Sequence, residues 1–303
     1  VTAKGTVSGA GSITLGAETA KLTTATTGLS VNTSLEERIV KYVDGAYQVT
    51  TITATVGGVS YETLQEAINA ATNGAVITLT ADCAENVTVP QAEGVKFTID
   101  GANHTMTGAI TVDGKSAVYA TAGITIKNVK FYASAITTDA CINLGVSGNS
   151  NTRYTSNVTV DSCTFTGGNK EKVAVKSYTG GDKNLTITNC TVDSTMHSLL
   201  QASGIDGVTI DKCTVNSKNG INLNSSENVT ISNSEIAVSG YAVRAGAGSE
   251  GGSGKIELTN NTLKTDNTEG DAVVVIRGNA SEQIDLTMTQ NVVSGTTHIS
   301  GTT

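Results

Sequence analysis

Cysteines, histidines and carboxylates are the residues of this chain whose types could carry covalent, metal or acid–base chemistry, so their spacing is the first test. The five cysteines, Cys83, Cys141, Cys163, Cys190 and Cys213, contain no C-x-x-C pair. An odd, widely spaced set fits neither a disulfide framework nor a zinc site; it fits small buried apolar residues. His104, His197 and His298 lie far apart and show no metal-ligand spacing. Among the acids, Asp266, Glu269 and Asp271 share one segment, DNTEGD, whose oxygen ligands make it a weak Ca2+ candidate. A solvated polar loop accounts for the same residues, and no other cofactor is expected. Asp161 and Asp211 recur at one position of a repeat described below. Two turns of a stacked fold would separate them by ~9–10 Å, within the range of inverting glycosidases. Such a pair needs a cleft and shifted pKa values, so outward, solvated acids are the favoured reading. No catalytic residue is assigned.

A second set carries binding rather than bond-breaking chemistry. Lys176, Gln201, Asn224, Arg244 and Arg277 each follow an apolar run, and in a stacked fold they are expected to form an outward polar ladder. The long loops beside them, 145–157, 177–184 and 245–255, contribute Arg153, Tyr154 and Tyr178, and Tyr241 lies close by. Insertions on one side of a solenoid commonly build its binding face. Arg, Lys, Gln, Asn and Tyr in one groove suit an acidic or neutral glycan, with an ordinary surface ladder as the alternative.

What must position these residues is a repeat. The segments ITIKNVKF (Ile124 to Phe131), VTVDSCTF (Val158 to Phe165), LTITNCTV (Leu185 to Val192) and VTIDKCTV (Val208 to Val215) share one pattern. VTISNSEI (Val229 to Ile236), IELTNNTL (Ile256 to Leu263) and LTMTQNVV (Leu286 to Val293) continue it, and FTIDGANH (Phe97 to His104) reads as an early degenerate copy. Positions 1 and 3 are apolar and point to one side of a strand, while Thr at position 2 points to the other. Position 5, often Asn, tolerates a bent backbone. The phase then shifts, so that positions 6 and 8 point inward. Upstream of most copies lies a third apolar strand, as in Cys141 to Leu144 and Ile221 to Leu223. Three strands per turn of roughly 20–30 residues is the unit of a parallel β-helix, in which stacking at ~4.8 Å makes a core no single turn could bury. Position 6 then becomes a column, Cys163, Cys190, Cys213, Ser234 and Asn261, and small side chains filling a tight corner explain it better than a reactive or metal-binding thiol row.

These copies resemble the repeats of right-handed parallel β-helix proteins, the pectate-lyase-like superfamily. The segment from Gly220 to Ser234, GINLNSSENVTISNS, is very similar to that family's repeat, and the position-5 asparagines resemble its asparagine ladder. The resemblance runs from about Gly74 to Thr303 and implies an all-β, right-handed helix; parallel crossovers share that hand. It implies little about activity, since the architecture hosts unrelated functions. The Asn-Thr-Asp, Asp-Asp, Gly-His-Gly and Arg-Ile-Lys motifs of polygalacturonase-like members are missing here.

Upstream, YETLQEAINAA (Tyr61 to Ala71) has helical spacing. It should cap the open end of the solenoid, with Asn73-Gly74 as its stop and Val56 to Ser60 as a strand before it. This opening resembles that of bacterial cell-surface β-helices. Residues 1–55 read as a small strand-rich extension, or as the stub of a preceding module in a longer multi-domain surface protein, with 56–303 as the helix. Within the extension, Ser34 to Arg38 could start a short helix, and Ile39 to Ile52 reads as a hairpin about Asp44-Gly45.

Composition bounds the partners. A net charge of −8 at pH 7 argues against nucleic acid, which needs a concentrated basic surface. No apolar run approaches the ~18–20 residues of a transmembrane helix. Thr columns at positions 2 and 7 invite comparison with ice-binding surfaces, but the turns are uneven and Glu257 interrupts one column; Thr is a good strand residue for its own sake. The Asn-x-Thr sequons at Asn157, Asn184 and Asn228 arise from the repeat itself. The expectation is a non-catalytic secreted or cell-surface bacterial protein, an adhesin or a solenoid binding a glycan or a host surface protein. The alternative is a lyase, hydrolase or epimerase acting on an acidic glycan.

Overall fold

The computed structural model describes residues 11–36, 38–114, 120–146, 154–178, 180–246, 254–266, 272–277, 284–295 and 297–300. Their strands stack into three long sheets, in which every neighbour within the coils is parallel and comes from the next turn of the chain. The first sheet places position 1 of all eight segments in one line: Phe97, Ile124, Val158, Leu185, Val208, Val229, Ile256 and Leu286. The second sheet, from Thr105–Met106 to Val292–Ser294, carries the second half of each segment. The third, from Val87–Pro90 to Thr297–Ser300, carries the upstream strands.

The bend between the first two sheets is made by position 5. Asn128, Ser162, Asn189, Lys212, Asn233, Asn260 and Gln290 all have φ between 50 and 56°, the left-handed region that Asn enters more readily than other non-glycine residues. Once turned outward, the asparagine amides bond to the coil before: Asn128 donates to Asp100 at 3.0 Å, Asn189 to Asp161 at 2.8 Å and Asn233 to Asp211 at 2.6 Å.

Inside, position 6 is buried along the column Cys163, Cys190, Cys213, Ser234 and Asn261. The three thiols donate to backbone carbonyls, as from Cys190 to Thr188 O at 3.2 Å. Further along, Asn261 Oδ1 accepts from the Ser234 amide at 3.0 Å, and Asn291 Oδ1 accepts from the Asn261 amide at 2.9 Å. Position 8 stacks Phe131 on Phe165, centroids 5.1 Å apart. The early copy departs from the pattern. Ala102 and Asn103 both take positive φ, the turn gains two residues, and Met106 rather than His104 pairs with Phe131.

The capping helix α1 spans Leu64–Ala70 and buries Leu64, Ala67 and Ile68 in the core. Burying each large side chain contributes about 1.5–3 kcal/mol. Thr63 and Glu66 form a reciprocal capping box, and Glu85 accepts from the Leu64 and Gln65 amides at 2.9 and 3.3 Å. A carboxylate at a helix start satisfies orphan donors and suits the dipole. Three details differ from the sequence reading. The helix ends at an extended Ala71, and Asn73 instead accepts from Lys96 N in the next coil. Val56 to Ser60 is not one strand: Gly57 and Gly58, both at positive φ, turn Ala54–Val56 back on Val59–Tyr61. Residues 34–36 form a bend and turn rather than a helix start, and Arg38 already opens a strand. The hairpin about Asp44-Gly45 is present, Arg38–Val43 pairing antiparallel with Ala46–Thr51.

Candidate functional site

The strands of the third sheet lead into the long connecting segments. They alternate, so one residue between two buried neighbours points out on each coil. The observed pairing lines up Asn143, Lys176, Gln201, Asn222, Arg244 and Val275. Lys176, Gln201 and Arg244 thus form the expected ladder. Asn224 and Arg277 do not stand in it. Each sits two residues further along, Asn224 opposite Ser203 and Arg277 opposite Ser300. In Ile221–Asn224, alternation puts Asn222 between the inward Ile221 and Leu223. In Val274-Val275-Ile276, a run of three apolar residues hides which one faces out.

Lys176 anchors one end of this face. Its Nζ meets Asp139 Oδ2 at 2.8 Å and lies 4.8 Å from the centre of the Tyr178 ring. Lys176's hydrogen bond holds the Asp139 carboxyl below its ordinary range. Tyr178 donates to Asn143 Oδ1 at 2.9 Å. Burial, and then the Asp139 charge, push its phenol up to about 12, so it stays protonated at neutral pH and is a poor base. At the other end, the Arg244 guanidinium lies 5.5 Å from the Tyr241 ring centre, a cation–π arrangement. Arg244 Nε, Asn222 Oδ1 and Asn224 Oδ1 are buried without a hydrogen-bond partner.

Between the ends stands His197, half-buried, with Nδ1 3.1 Å from Ser198 Oγ and Nε2 3.4 Å from Asn219 Nδ2. Burial, with the charges of Lys218 and Lys176, lowers its pKa, which keeps the ring neutral at pH 7. His197, Asn219, Asp139 and Asn143 escaped the sequence reading. Their signal is backbone stacking at the strand entrance, where Asn219 N donates to His197 O at 2.7 Å and His197 N to Lys172 O at 2.8 Å.

The other candidates fall elsewhere. Arg153 lies outside the described residues, as do Glu269 and Asp271 of the Ca2+ candidate; the remaining acid, Asp266, pairs with Lys264 at 3.0 Å. Tyr154 lies on the loop side, its ring against Gly181. Asp161 and Asp211 are separated by Thr188 in the first sheet. Asp211, whose pKa is lowered chiefly by the Asn233 hydrogen bond, is unsuited to donate a proton at neutral pH. All five cysteines are buried and unpaired. No group of three or more His, Cys, Asp or Glu positioned for a metal occurs among the described residues, and none of the described helices is long and apolar enough to cross a membrane.

The family described as a right handed beta helix region matches residues 75–293. No curated protein matches the chain. Among solved structures, the surface protein and adhesin PfbA of Streptococcus pneumoniae is similar at 13% identity and TM-score 0.39, over 77% of this chain and 78% of that one. The enzymatically active domain of bacteriophage CBA120 tailspike protein 2 is similar at 15% identity and TM-score 0.39, over 93% and 47%. Endopolygalacturonase I from Stereum purpureum is similar at 16% identity and TM-score 0.27, over 75% and 94%.

Proposed function

The chain belongs to the right-handed β-helix family, and from that premise we propose that it is a non-catalytic extracellular or cell-surface protein that binds a glycan on the outward face of its third sheet. The observation that carries this reading is the column Lys176, Gln201, Asn222 and Arg244 on consecutive coils, with Tyr178 and Tyr241 against its two cations and Asn143, itself buried, holding the Tyr178 hydroxyl. Amides and cations can bond sugar hydroxyls or carboxylates, and the aromatic rings supply apolar area at low entropic cost. The chemistry on this face is also poor in proton donors. Asp139 is held as a carboxylate by Lys176, and general-acid catalysis needs a carboxyl with a raised pKa. The same reading assigns residues 1–55 to an N-terminal extension. Leu15, Leu22 and Tyr47 form their own small cluster, and Lys41 ties the extension to the solenoid cap through Glu62 and Glu66 at 3.0 Å.

A panel of acidic and neutral polysaccharides, assayed for binding and, by mass spectrometry, for cleavage or epimerised products, tests the proposal. Binding without turnover is expected, weakened by Lys176→Ala and Arg244→Ala. Turnover of any member would replace it with a polysaccharide-active enzyme.

A further inference from the structure

On the second sheet, Tyr132 stands apart from its outward neighbours, which are mostly Thr, Lys, Glu and small residues. The residue is 47% exposed, while the adjacent Phe131 turns inward onto Phe165. The ring is seated rather than loose. Gly167 lies so close beneath it that a Cβ there would stand 2.7 Å from Tyr132 Cε2 and 2.8 Å from Cδ2. Gly167 also has φ +77°, so glycine answers two demands at once: a left-handed turn and a flat rest for an aromatic face.

The ring walls a depression of about 240 Å3, lined by Thr105, Lys130, Phe131, Thr164 and Thr166. Register sets Lys130 between Thr105 and Thr164, and Tyr132 beside Thr166. One aromatic surface is therefore bordered by hydroxyls: those of Thr105 and Thr164 can donate and accept, and that of Thr166, which donates to Phe131 O at 3.3 Å, can accept. The lining contains a single cation, Lys130, and no carboxylate to neutralise it.

That combination selects a ligand. A pyranose has an apolar C–H face that packs on an aromatic ring and a rim of hydroxyls that needs donors and acceptors, while an unneutralised ammonium favours a charge-assisted bond to an anionic substituent. We propose that this depression is a second saccharide site, separate from the third-sheet face. It takes one carboxylate-bearing pyranose of an acidic glycan: the sugar ring on Tyr132, its hydroxyls against Thr164 and Thr166, its carboxylate toward Lys130.

Tryptophan is absent from the chain, so Tyr132→Trp introduces a sole indole that keeps the platform and reports on it. Titration with glucuronate oligomers is expected to shift its emission saturably. The fully methyl-esterified oligomers should bind about tenfold more weakly, as should the acid when Lys130→Gln is added, a loss typical of one charge-assisted bond. No saturable shift, or an equal response to acid and ester, overturns the proposal. So does an emission change that follows protein concentration without sugar, which would make the occupant a second copy of the chain. If the Tyr132→Trp chain fails to fold, calorimetric titration of the unmodified chain against Tyr132→Ala decides the same question: equal affinity overturns it. Repeating the titration with Arg244→Ala separates the two faces. A retained shift supports a distinct site, and loss of the shift assigns binding to the third sheet.

Discussion

The Lys176 ammonium lies 2.8 Å from a carboxylate oxygen of Asp139, so an anion bound on the third-sheet face as proposed would have to share it. An exposed pair of this kind is worth at most about 1 kcal/mol, so Asp139 competes with a bound anion rather than excluding it. Asp139→Asn should tighten binding of a carboxylate-bearing glycan by up to about fivefold at low salt, with the gain fading as ionic strength rises. Calorimetric titration at two salt concentrations checks this. A neutral glycan should show no gain.

The position-6 column predicts a large effect from a small change. Cys190 is 1% exposed, and its thiol, pushed up to about 12 by its Cys163 neighbour and by burial, is neutral at any physiological pH. Cys190→Asp puts a carboxylate in the apolar core, which costs several kcal/mol. The melting temperature should fall steeply. A melt superimposable on that of the unmodified chain would refute the inward placement.

Position 5 predicts changes of opposite sign. Lys212 is held at φ +52° and Asn189 at φ +53°, a conformation costing most L-residues roughly 1–2 kcal/mol and Asn less. Lys212→Asn should stabilise by up to about 1 kcal/mol, the exposed Lys212–Asp211 contact offsetting little. Asn189→Val should destabilise by about 2 kcal/mol, because a β-branched residue resists this region and the bond to Asp161 is lost. Denaturant midpoints measure both.

Asp182 predicts a pH dependence. It is buried and accepts from Thr155 N and Ser177 Oγ, both at 2.7 Å, yet burial raises its pKa from 3.8 to about 6. The folded state then holds the proton more tightly than the unfolded chain. Asp182 therefore makes its most favourable contribution below pH ~4, loses it as pH rises toward ~6 and changes little above. The shift corresponds to a few kcal/mol. Asp182→Asn should remove this fall between pH 4 and 6. Its amide can face Ser177, whose hydroxyl has Ser203 O as an alternative acceptor at 3.3 Å. Urea midpoints across that window, with and without the substitution, isolate the effect, since the carboxylates with depressed pKa values, such as Asp139 and Asp206, titrate below it.

The coils were legible because period-two alternation and a fixed bend residue survive in almost every copy. Phe97, Ile124 and Val158 announce the first sheet by themselves. Legibility failed where side-chain type stops reporting direction. The valines of Val274–Arg277 are buried whichever way they face, which hides from the sequence that Val275 rather than Arg277 stands opposite Arg244. The extra residues at Ala102 and Asn103 look like ordinary turn chemistry and conceal that Met106 is the inward residue. His197 joins the candidate face through a turn whose path depends on loop length, which local patterning does not encode. Tyr132 reads as one more strand aromatic until Gly167 is found beneath it.

The progression along the inner corner from sulfur to hydroxyl to amide has a consequence for how the chain finds its own alignment. Coils this similar could be threaded one place out of step with little loss of apolar burial. Were that to happen here, the Asn261 carboxamide would be set beside a thiol that cannot match its donors and acceptors, stranding polar atoms in a dry interior. The changing chemistry thus acts as an address on each turn, penalising a misthreaded stack while leaving the amides of this corner bonded in the correct one.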